Sequence, residues 1–181
     1  MLSFAAQFPD QVAGMVLLAS TAPKPGPAQP TNNQSDSFVS RVSALLPAVA
    51  HIGAGHLVAQ LSFGTLPPRA RDEARANSST APHLGSYIEE FLEGSASVHQ
   101  AASLTDLGGK PLSVHAADRN ADDEWQSQQD RLATLSTNSL HRHTDATHAS
   151  LLEDEADSAA ASQAIDDVVA AVRTSQPLPP R

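Results

Sequence analysis

Two kinds of apolar pattern divide the chain. Residues 12–19, Val-Ala-Gly-Met-Val-Leu-Leu-Ala, are apolar almost without a break, which is how a strand covered on both faces reads. The preceding Leu2-Ser3-Phe4-Ala5-Ala6-Gln7-Phe8 has the pattern of the last turns of a helix, stopped by Pro9, with Asp10-Gln11 as the turn. So short a helix is marginal alone and has nothing before it to supply a cap, so the chain reads as starting partway through a larger unit. Residues 20–33 form a loop in which Pro23, Pro25, Pro27 and Pro30 block regular structure.

Helical spacing takes over after that loop. Phe38, Val39, Val42, Leu45, Leu46 and Val49 predict a helix kinked or ended by Pro47, and Leu57, Val58 and Leu61 a second short one. Pro67-Pro68 opens a charged helix over 69–76 whose mixed charges suit a solvated face. Leu84, Ile88, Phe91, Leu92, Val98 and Ala102 predict a longer amphipathic helix over 82–102. Residues 21–107 therefore read as a helical excursion with one apolar face, the form of a cap or lid over a site.

Beyond the Gly108-Gly109-Lys110 turn, residues 111–117 are a second strand candidate and 118–123 a polar loop. Trp125, Gln128, Leu132 and Leu135 predict a helix, and residues 139–144 a third strand. Ala161, Ile165, Val168, Val169 and Val172 line one face of a final helix, and three prolines after Thr174 predict a frayed tail. Strand, helices, strand, helix, strand, helix is the alternation of an α/β fold with a short parallel sheet flanked by helices. The expected divisions are a core portion at 1–20, the cap at 21–107, the rest of the core at 108–174 and a flexible tail at 175–181.

Composition narrows the function. Hydrophobic residues make up 40% of the chain but aromatics only 4%, so the core must be built from Ala, Val and Leu. A formal charge of -9, from 20 acids against 11 bases, disfavours nucleic acid and anionic membranes, both of which need a concentrated basic face. With no cysteine there is no disulfide, thiolate nucleophile or Cys-ligated zinc. No Lys or Arg precedes Lys24, and the apolar stretch 12–19 is short, so it reads as a buried strand rather than an export signal. No apolar run approaches the ~18 residues of a membrane span, and a cytoplasmic location is expected.

Parallel sheets gather functional groups at the C-terminal ends of their strands. That rule selects the loop 118–123 after the second strand and Asp145-Ala146-Thr147-His148 after the third. An acid on one loop and a histidine on the next is the acid–base half of a hydrolytic triad, the carboxylate holding the imidazole tautomer and stabilising the imidazolium. Asp122, just before the Trp125 helix, is the first candidate acid, with Asp118 and Asp123 as alternatives; each would otherwise serve as a loop or helix-cap aspartate. His141 and His143, two apart on a strand, face the same way with Asp145 and His148 nearby, which is compatible with a metal site. The polar face of an edge strand explains the pair more simply, so no metal and no cofactor are expected. His115 is an unusual residue in a strand otherwise so apolar.

Three segments carry a resemblance. Phe4-Ala5-Ala6-Gln7-Phe8-Pro9-Asp10-Gln11-Val12 resembles the segment that follows the nucleophile elbow in serine-type α/β-hydrolases. Gly109-Lys110-Pro111-Leu112-Ser113-Val114 resembles the lead-in to that family's acid-bearing strand, and Ala146-Thr147-His148-Ala149-Ser150-Leu151-Leu152 its histidine loop. The resemblance covers both ends of the chain and little of residues 21–107. It implies the C-terminal part of an α/β-hydrolase fold with a helical cap, ester or related acyl hydrolysis, His148 as general base and Asp122 as the acid. A small apolar ester-like substrate is expected if a missing N-terminal half completes the site, because the apolar helix faces of residues 21–107 suggest an apolar acyl or alcohol group.

The departure is as informative as the resemblance. No G-x-S-x-G occurs, and Ser3 lacks the flanking glycines of a nucleophile elbow. The expected product is thus a truncated hydrolase, inactive alone, whose strand at 12–19 presents an open edge for self-association and leaves the chain marginally stable. The alternative is a non-catalytic binding or assembly protein built on the same fold.

Overall fold

A computed structural model describes residues 1–23 and 63–179. The two short helices expected between Phe38 and Leu61 lie outside the described residues. The chain divides into two compact units, one formed by Met1–Pro25 with Gln100–Arg181 and the other by Gly26–His99.

The first unit is a three-stranded parallel sheet with flanking helices, a general α/β fold. Helix α1, Leu2–Gln7, leads through the 3-10 turn Pro9–Gln11 into β1, Met15–Leu18. Strand β2 is Leu112–Ala117 and β3 is Ser139–Thr144, in the order β1-β2-β3. β1 is shorter than its apolar run. The Val12 N–H turns back to the Pro9 carbonyl at 3.3 Å, so pairing starts only where Met15 N donates to Pro111 O at 2.8 Å.

Register fixes what each face carries. Leu17, Val114 and His141 lie side by side across the sheet, as do Leu18, His115 and Arg142. Met15, Leu17, Leu112 and Val114 pack with Leu2 and Ala5 of α1, with Leu107 and with Leu132. Helix α4, Asp123–Ala133, supplies Leu132 and crosses back between β2 and β3. The opposite face takes the final helix α6, Glu155–Thr174, whose Val168 and Ala171 meet Val16 and Leu140. Completely buried Leu112 and Leu151 are each worth about 1.5–3 kcal/mol in apolar burial. Gly14 allows α6 this close, since a Cβ there would stand 2.8 Å from Val168 Cγ1.

The expected frayed tail is instead docked as far as it is described. Leu178 is buried with Val168 and Ala171, and its N–H donates to Asn138 Oδ1 at 2.9 Å. An apolar residue that finds a greasy notch and a partner for its amide has reason to stay.

In the second unit, helix α2, Pro68–Ser78, has no buried residue, and its Arg69–Glu73 pair at 3.0 Å is fully on the surface side. Helix α3 is Ala81–Ala101, and its last residue, Ala101, belongs to the core of the first unit. No helix among the described residues is long and apolar enough to cross a membrane.

Candidate functional site at the C-terminal ends of the strands

The loops after β2 and β3 are stitched together by backbone. Asp118 N donates to Thr144 O at 3.0 Å and Arg119 N to Ala146 O at 3.1 Å. Asn120 takes a left-handed turn at φ 67, a conformation its short amide side chain tolerates. Beneath the loops Ala19, Ala117, Ala146 and Leu151 form a small buried cluster capped by Trp125. Leu151 sits in the short helix α5, Ser150–Glu153, and anchors the histidine loop from behind.

His148 projects from that loop and is exposed. Its Nδ1 lies 3.2 Å from the Ala19 carbonyl at the C-terminal end of β1. A carbonyl can only accept, so Nδ1 carries the proton and the lone pair is on Nε2, the tautomer a general base requires. Ala19 adopts φ 43, a left-handed conformation costly for a residue with a Cβ, and its buried side chain helps hold it there.

The candidate acids separate. Asp122 is the N-cap of α4, its Oδ1 accepting the Trp125 N–H at 2.8 Å, and it makes no bond to His148. Asp123 is exposed in the first turn of the same helix, where it favours the positive end of the helix dipole. Asp118 instead accepts from His143 Nδ1 at 2.8 Å through Oδ2, while its Oδ1 is buried without a partner. The acid–imidazole pair present is thus Asp118–His143, and no carboxylate among the described residues bonds His148. Asp145 pairs with Arg119 Nε at 3.2 Å, and the carboxylate grouped with His141 and His143 is Asp130 instead.

A second polar cluster sits beside this one on the α4 side of β3. His141 and His143 do share a face, with ring centroids 4.3 Å apart and tilted by 45°. Their neighbour is Asp130 of α4, whose Oδ1 is 3.3 Å from His141 Nδ1, while His141 Nε2 is buried and unpartnered. Burial holds the His141 pKa below its usual value and the neighbouring His143 adds to that, against the opposing pull of Asp130 and Asp118.

On the other face, His115 is fully buried with neither ring nitrogen hydrogen-bonded. Burial pushes its pKa down, Arg142 and His141 push the same way, and Asp167 opposes them. Arg142 Nη2 reaches Asp167 Oδ2 at 3.0 Å, and Gln163 Nε2 donates to Asp167 Oδ1 at 2.9 Å. This layer braces β3 to α6 rather than opening to solvent.

Sequence reasoning singled out His148 and missed Asp130 and the Asp118–His143 pair. Asp130 lies on a helix that reads as amphipathic and nothing more; the signal was the i, i+2 histidines together with a carboxylate on the crossover helix packed against them. Comparison of the chain with protein-family models, with curated proteins and with solved structures gave no match.

Proposed function

We propose that this chain bears the histidine-and-acid side of an acyl-hydrolase site of the α/β-hydrolase type, acting on esters or related acyl compounds. The observation that carries the reading is the placing of His148 after the third of three sequential parallel strands, with Nδ1 held by Ala19 and Nε2 free to take a proton. In the reaction Nε2 accepts the proton of a serine hydroxyl as it attacks the acyl carbon, then returns it to the leaving alcohol. Asp118 is favoured over Asp122 as the acid, a role that requires its unpartnered Oδ1 to replace the Ala19 carbonyl at His148 Nδ1 while Oδ2 stays with His143. The Asp118 backbone is tied to Thr144 at the start of the histidine loop and its side chain keeps a carboxylate oxygen unpartnered, whereas Asp122 is committed to capping α4.

The 181 residues contain no G-x-S-x-G, so this reading takes the serine and oxyanion donors from a further segment. The outer side of β1 suits such a segment: among the described residues β1 pairs only with β2, and an apolar cleft of about 470 Å³ lined by Met1, Phe4, Val12, Met15, Val168 and Val172 runs beside it. Phe4 and Phe8, with ring centroids 5.1 Å apart, are both partly exposed near that side. The alternative, a non-catalytic assembly module, rests on the same open edge.

The test is to extend the chain upstream through its coding DNA to any in-frame elbow and assay ester hydrolysis. Activity that falls by about 10⁴-fold or more in His148→Gln supports the reading. An extended protein without an elbow, or hydrolysis indifferent to His148→Gln, refutes it. Inactive protein that self-associates favours the assembly module.

A further inference from the structure

Beside the His148 loop lies the cluster formed by Asp130, His141 and His143. From its donor set and spacing we infer that these three side chains form a binding site for a divalent transition metal of the zinc class.

Two histidines and one carboxylate, with a fourth position left to water, is a donor set suited to zinc. One donor atom from each residue lies within 4.8 Å of the other two. Donors around tetrahedral zinc, with bonds near 2.0–2.1 Å, stand about 3.3 Å apart. The His141 Nδ1–Asp130 Oδ1 separation is 3.3 Å, so one edge of the tetrahedron is already at length. This contact does not have the alignment of a hydrogen bond, whereas His143–Asp118 does. The remaining corner needs a closing movement of up to about 1.5 Å, within reach of side-chain rotation because Asp130 and His143 are 66% and 48% exposed.

The surroundings are those of a metal ligand shell. Asp118 accepts the Nδ1–H of His143, so that ring presents its lone pair through Nε2, the carboxylate–histidine arrangement that orients imidazoles toward a metal. His141 and His143 come from β3, and Asp130 from the helix packed upon it, so all three ligands stand on regular elements. A plain solvated strand face would turn both histidines to water, yet the His141 side chain is only 18% exposed. The net charge of -9 adds a general attraction for cations.

The test uses the full 181-residue chain and zinc chloride. The expected result is one zinc per chain at micromolar concentration, followed by calorimetry, with a melting midpoint that rises with zinc and falls back on adding chelator. Asp130→Asn and His141→Ala should each weaken zinc at least tenfold, and His99→Ala, on α3, should leave it unchanged. Asp130 is exposed, so its variant is expected to fold, which far-ultraviolet circular dichroism verifies. Cobalt(II) should give the visible spectrum of a tetrahedral site in the wild type and lose it in Asp130→Asn. No binding up to millimolar zinc, or binding untouched by Asp130→Asn and His141→Ala in folded protein, overturns the inference.

Discussion

Gly14 offers the sharpest test of how the sheet and α6 fit together. A Cβ at that position would lie 2.8 Å from Val168 Cγ1, 3.0 Å from Val172 Cγ2 and 3.1 Å from the Pro111 carbonyl oxygen. Carbon contacts settle near 3.5–4.0 Å, so the first is short by about 1 Å. Val172 is 36% exposed and can move aside, but Val168 is buried and, as a β-branched residue in a helix, has essentially one χ1 rotamer. The Pro111 oxygen is held by the Met15 N–H. Relief must come from α6 backing away from β1, which loosens Val16 and Leu140 as well. Overpacking of this kind costs about 1–3 kcal/mol, from which the reduced entropy of the unfolded chain returns about 0.4–1 kcal/mol. Gly14→Ala should thus lose about 1–2 kcal/mol, a fall of about 2–8 °C in Tm for a chain of this length. Thermal melts and urea titrations read this directly. Val168→Ala should cost less in the Gly14→Ala background than in the wild type, a favourable coupling of about 0.5 kcal/mol or more. A Gly14→Ala protein that melts at or above the wild-type temperature, with no coupling to Val168→Ala, would refute the packing described between β1 and α6.

Two further outcomes are expected. Asp122→Ala should lower stability by about 1 kcal/mol through loss of the α4 cap and Asp122→Asn hardly at all; in the extended protein Asp122→Asn should also leave hydrolysis intact, and a severe loss there would restore Asp122 as the triad acid. His115 gives a pH dependence whose sign follows from its depressed pKa: below the ordinary value of 6.5 the unfolded chain takes up a proton that the folded chain refuses. Its contribution is therefore present above that pH and lost as pH falls, by at most about 1.4 kcal/mol per unit. Urea midpoints of wild type and His115→Leu at pH 7.5 and 5.5 check it, and equal slopes for the two proteins would show that His115, set among Arg142, His141 and Asp167, does not carry the effect.

What could be seen in the sequence was whatever rests on short-range pattern. β3 spans the expected 139–144 because it is bounded by polar turns, and the α4 and α6 helices follow their apolar spacing. β1 came out shorter because hydrophobicity cannot tell a paired residue from one that folds back on a 3-10 turn, as Val12 does. The tail was misjudged because its docking depends on Asn138, forty residues earlier in the chain. The position of His148 on the loop after a strand was legible. The bond from His148 to Ala19 crosses 129 positions, and the Asp118–His143 pair depends on the β2–β3 register, neither of which a linear pattern records. Asp122 stood out as an acid in the right loop, yet the same position before an apolar-periodic segment is where a helix cap belongs, and that role won.

Strand β3 reads Ser-Leu-His-Arg-His-Thr and offers only Leu140 to the hydrophobic effect. A slip of one residue would exchange its faces, sending Arg142 toward Asp130 and the imidazoles toward Asp167. Greasiness would barely notice the difference. Alignment of this strand is instead favoured by polar partners: acids on the α4 side face imidazoles, and the buried acid of α6 receives the guanidinium. Arg142 and Asp167 are sheltered enough that salt screens the formed pair little, so molar salt, with a screening length of ~3 Å, acts on the search for this register while the chain is still open rather than on the strand once seated.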